Sequence, residues 1–91
     1  MNIKEIALQK KAEYENDYTA WCVSNPGKIM NGLSSMAIGA ELASYCDTKE
    51  DLDTLIKVYS RKATNATGPH GHKFLVDAFK EILKIYSNDN K

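Results

Sequence analysis

Phe74, Leu75, Ala78, Phe79, Ile82, Leu83 and Tyr86 repeat at three-four spacing, the period that lines one face of an α-helix with apolar side chains. No stretch of the chain alternates apolar and polar residues as a half-buried strand would. An all-α fold is therefore predicted. Its size is bounded too, because 91 residues suffice for one domain with a single modest core and not for two.

Three further segments carry helical signals. Ile3, Ala7, Tyr14, Tyr18 and Trp21 fall at helical spacing and predict a helix from about Ile3 to Cys22. In the stretch Ser-Asn-Pro-Gly-Lys at 24–28, Asn25 suits an N-cap and Pro26 the first helical position, so a second helix is expected from there to Cys46. Asp47 and Thr48 can cap a third, with Glu50 and Asp51 placed as in a capping box. Leu52, Leu55, Ile56 and Tyr59 form its apolar stripe, and it should fray between Ala63 and Thr67. Short connections favour antiparallel neighbours, so the four helical segments predict a small antiparallel helical bundle, up-down-up-down. A three-helix core with helix one or two turned outward is the alternative. Residues 1–86 read as a single helical domain and 87–91 as a flexible C-terminal tail.

The second segment is rich in small residues. Ser35, Gly39 and Ala43 lie on one helical face at four-residue spacing. An interior glycine costs a helix about 1 kcal/mol relative to alanine, which the close approach of another helix can offset. That helix is either a neighbour within the bundle or a second copy of the chain, giving a homodimer or higher homo-oligomer. A break near Gly32, with the helix proper starting later, is a third possibility.

Charge excludes several classes of function. Twelve basic and twelve acidic side chains balance, and Arg61 is the only arginine. Nucleic-acid and membrane-surface binders carry excess positive charge, and readers of base edges favour the two-pronged guanidinium. Neither sequence-specific DNA binding nor membrane binding is expected. The N-terminus lacks the blocks of a signal peptide, and no apolar run approaches the roughly 20 residues of a membrane span, so a cytoplasmic location is expected. The Lys, Asn and Ile bias is also what AT-rich coding produces, as in a low-GC bacterium or a phage.

The balance conceals segregation. No acid lies between Asp53 and Asp77, where Lys57, Arg61, Lys62, His70, His72 and Lys73 all fall, nor between Asp17 and Glu41, where Lys28 stands. Glu41, Asp47, Glu50, Asp51 and Asp53 crowd the second connection against Lys49 alone. In an up-down bundle the first and third connections share one end, which makes that end basic and the other acidic.

His70 and His72 flank Gly71 in the stretch Thr-Gly-Pro-His-Gly-His-Lys-Phe at 67–74. Zinc needs three or four nitrogen, sulfur or carboxylate ligands, and here Cys22 would be at best a third, so no metal is expected. The stretch suits an anion better, because glycines and a helix start offer unpaired N–H groups. A nucleotide or phosphate site built from Lys28, Arg61, Lys62 and Lys73 with Asn65, Thr67, His70 and His72 is the expectation there. His72 read by itself is a solvated surface residue. Cys22 and Cys46 end successive antiparallel helices, roughly 25–30 Å apart at 1.5 Å per residue, so both should be free thiols.

The chain holds no catalytic triad, phosphate loop, paired carboxylates or cofactor fingerprint. It reads as a non-enzymatic binding protein, an inhibitor or adaptor acting through contacts with another protein. Binding of an anionic small ligand at the basic end is the alternative.

Overall fold

The structure, a computed structural model, describes residues 1–28, 32–65 and 71–89. Four α-helices pack together in it, α1 (Ile3–Ser24), α2 (Leu33–Ala43), α3 (Lys49–Asn65) and α4 (Gly71–Asp89), with no strand among the described residues. The all-α reading holds.

α1 and α3 begin where local side chains satisfy the first orphan N–H groups. The Asn2 side chain accepts from the Glu5 N–H at 2.8 Å, and the Glu5 carboxylate accepts from the Asn2 N–H at 3.1 Å. The same reciprocal device opens α3: Thr48 Oγ1 accepts from the Asp51 N–H at 3.1 Å, and Asp51 accepts from the Thr48 N–H at 3.3 Å. The second helix differs from expectation. Asn25, expected to cap α2, instead closes α1, its side-chain amide donating to the Trp21 carbonyl at 2.9 Å. Pro26 and Gly27 then make a turn, closed by the Lys28 N–H on the Asn25 carbonyl at 3.1 Å, with Gly27 at φ +79°. That is the proline-glycine chemistry of a type II turn, and it outcompeted the helix-start reading. The helix starts later, with Gly32 as its N-cap at φ +94°.

A shared core ties the helices together. Ile3, Ile6, Ala7 and Tyr14 of α1, Ala37, Ala40 and Ala43 of α2, Leu52 of α3, and Leu75, Ala78, Phe79 and Ile82 of α4 are buried in one cluster. The first two helices run antiparallel, since Lys11 pairs with Glu41 at 3.5 Å while Tyr18 and Ser34 line the same groove further along. α2 also packs on α4, and α3 packs chiefly on α4.

The close approach of α2 to α4 explains the small residues. A Cβ on Gly39 would stand 3.1 Å from the Ala78 methyl and from the Leu75 Cα and carbonyl oxygen. Ala43 is fully buried and Ser35 half-buried. Of the Ser35, Gly39 and Ala43 face, expected as either bundle packing or an interface between copies, Gly39 is thus taken up by α4 and Ala43 by the core.

α4 continues through Ser87 and Asn88 to Asp89, so the stretch expected as tail is helical that far. Asp89 there pairs with the Met1 amine, which offsets the unfavourable placing of a carboxylate at a helix C-terminus and holds that amine's pKa above its ordinary value.

Candidate binding face

α2 is the unusual element. Of its eleven residues only Glu41 is charged, and apolar residues occupy most of its circumference apart from the line of Ser34 and Glu41. A helix of that kind is normally enclosed, yet Ile38 is 54 % exposed and Tyr45, one residue beyond the C-cap Ser44, is 75 % exposed. At 100° per residue, positions 38 and 45 project from the same side of the helix, with the half-buried Leu42 beside them. Tyr45 is held by the tightened end of the helix, where the Tyr45 N–H donates to the Leu42 carbonyl at 3.2 Å and the Cys46 N–H to that of Ala43 at 3.0 Å.

A groove runs along each flank of this ridge. One, of about 440 Å³, lies between α1 and α2, with Ala37 and Ile38 on its floor, Tyr18 and Thr19 at one end and the Lys11–Glu41 pair at the other. The second, of about 350 Å³, lies toward α3, between Leu42, Tyr45, Cys46, Asp51, Thr54 and Leu55. The result is an apolar ridge with a furrow on either side.

The charge around it is negative. Glu15 and Asp51 line the two grooves, where Glu41 is paired with Lys11. Asp47 and Glu50 are exposed in the stretch after Tyr45, with Lys49 between them. Burial raises the pKa of the Cys46 thiol, and the nearby Asp51 and Asp47 raise it further. A thiol held protonated in this way is a poor nucleophile. Cys22 is exposed, and its proximity raises the pKa of the Tyr18 hydroxyl. Both cysteines are free.

The residues expected at the basic end are partly brought together. A Cβ on Gly32 would fall 2.5–2.7 Å from the Phe74 ring, so the end of the first connection does meet the start of α4. His72 is half-buried rather than solvated: its ring packs 5.6 Å from that of Tyr59, and Nδ1 is buried with no hydrogen-bond partner. Lys62 Nζ lies 4.9 Å from the centre of the same tyrosine ring, a cation–π contact. Lys28, Arg61 and Lys73 are exposed. Thr67, His70 and the Asn65 side chain lie outside the described residues. No group of three or more His, Cys, Asp or Glu side chains among the described residues could hold a metal ion.

Sequence reasoning missed Ile38, Leu42 and Tyr45. The signal was present: these apolar residues stand off the Ser35, Gly39 and Ala43 face in a segment with a single charge. Among the described residues no helix is long and apolar enough to cross a membrane. Comparisons with protein-family models, with curated proteins and with solved structures found no match.

Proposed function

We propose that this chain is a non-enzymatic binding protein, of inhibitor or adaptor type, that docks another protein on the outer face of α2. The observation that carries this reading is the exposure of Ile38 and Tyr45 on a helix apolar over most of its circumference, with a groove on each flank. Isolated exposed apolar residues are ordinary on protein surfaces, whereas a contiguous ridge between furrows is the shape into which a partner's side chains pack. Large apolar anchors such as these dominate the energy of protein interfaces.

The test is capture from cell extract by the native chain and by Ile38→Ser with Tyr45→Ser. Val23→Ser, at a residue 78 % exposed near the end of α1, serves as control. A partner retained by the control and lost by the double variant is the expected outcome. Equal capture by all three chains would refute the reading.

The buried, unpartnered Nδ1 of His72 beside Tyr59 and Lys62 favours a second reading, an anion site at the opposite end. A phosphate- or nucleotide-dependent rise in thermal midpoint that His72→Ala abolishes would support it, since ligand binding to the native state raises the midpoint by mass action.

A further inference from the structure

We infer that the occupant of the α2 face is a positively charged amphipathic helix of the partner protein, an inference that rests on the docking reading above. The shape argument comes first. α1 and α4 cover two sides of α2, and α3 packs chiefly on α4, which leaves the side of α2 that carries Ile38 and Tyr45 exposed. Ile38 and Tyr45 are seven residues apart, two helical turns or about 10.5 Å along the axis. A ridge of that length between two grooves is the seat that ridges-into-grooves packing gives to another helix. An extended segment has no such seat, because no sheet edge among the described residues could pair its backbone donors and acceptors. A helix brings its own hydrogen bonds.

Charge then decides the sign. Glu15 and Asp51 line the grooves, Glu41 there is paired with Lys11, and Asp47 and Glu50 are exposed in the stretch after Tyr45 with Lys49 as the one cation among them, so the balance is negative. Lysine or arginine at the edges of an apolar stripe would meet these carboxylates at the rim, where opposite charge speeds encounter and like charge is penalised. The same arrangement disfavours a second copy of this chain. A two-fold dimer through this face sets each acidic rim against its own copy.

The experiment uses the full chain and three labelled 18-residue synthetic helices. All share one leucine stripe at three-four spacing and carry lysine, glutamine or glutamate at every polar position. Fluorescence anisotropy should show the lysine helix binding about tenfold or more tighter than the glutamine helix, with the glutamate helix weakest and the preference collapsing at 1 M salt, where screening shortens to about 3 Å. Ile38→Ser with Tyr45→Ser should weaken the lysine helix by about tenfold or more, with circular dichroism confirming an unchanged fold. Glu15→Gln with Asp47→Asn should erase the preference for lysine and leave glutamine-helix binding intact. Lysine and glutamine helices that bind equally, both dependent on Ile38 and Tyr45, would overturn the charge inference while leaving the docking face in place. Lysine-helix binding indifferent to Ile38 and Tyr45 would overturn both. No binding of any helix, or a dimer by light scattering that the Ile38 and Tyr45 changes dissolve, would overturn the basic-helix partner.

Discussion

Tyr14 carries the most exposed argument at the level of single residues. Its side chain is only 6 % accessible, and its hydroxyl is buried with no hydrogen-bond partner. Burial, reinforced by Glu81, Glu13 and Asp77, pushes its pKa up from 10.0 to about 12. Two consequences follow from the two protonation states. At neutral pH an unpaired buried hydroxyl costs stability, so Tyr14→Phe should raise the unfolding free energy by about 1 kcal/mol, read from urea denaturation. The ring packing and the Lys10 ammonium 4.9 Å from the ring centre survive that change. At alkaline pH the sign works against the native chain. A folded-state pKa above the unfolded value gives a contribution fully present below about 10 and lost as pH climbs toward about 12. The native thermal midpoint should therefore fall more steeply between pH 9 and 11 than that of the variant. Identical slopes would show that Tyr14 ionises as freely folded as unfolded. The sequence announced Tyr14 as part of an apolar stripe, and burial agreed. That its hydroxyl would be left unpaired was not legible, because it depends on which α4 side chains face it.

Single elements divide by how local their determinants are. The capping box at Thr48 and Asp51 was legible because all its parts lie within four residues. The apolar period of α4 was legible for the same reason. The start of α2 was expected at Asn25 and Pro26 because they satisfy two local rules at once, but the turn rule prevailed at Gly27 and the alternative of a later start near Gly32 holds. Gly39 was read correctly as a point of close approach, but whether the approaching helix was α4 or another copy is a tertiary matter. Its substitution makes a sharp test of the α2–α4 contact. Gly39→Ala gains about 1 kcal/mol of helix propensity. It also drives a methyl to 3.1 Å from the backbone of Leu75, which cannot rotate away as a side-chain tip would. Overpacking of this kind costs about 1–3 kcal/mol, so the net effect on urea-induced unfolding should be a loss of stability of about 1 kcal/mol. A gain would mean that α4 yields freely at Leu75 and that the contact is looser than its geometry.

Over the molecule as a whole, the proposed docking face depends on which helices cover α2. A chain of four sequential helices invites a square bundle in which each helix covers two neighbours. Here α2 packs on α1 and α4, and α3 chiefly on α4, while Ile38 and Tyr45 stay exposed on the remaining side of α2. The charge segregation was readable from the sequence as two long acid-free intervals. The proposed docking face was not, since Ile38 and Tyr45 look like ordinary core residues until the packing partner of each helix is known. The central claim is that a protein partner sits on this ridge, and position-specific photo-crosslinking tests it most directly. A photoreactive side chain is placed at 38 or 45, and in separate chains at Leu8 or Val23, which are exposed apolar residues of α1. The account predicts one common crosslinked species from positions 38 and 45 and none from 8 and 23. Crosslinks to that species from 8 or 23 in place of 38 and 45 would contradict it.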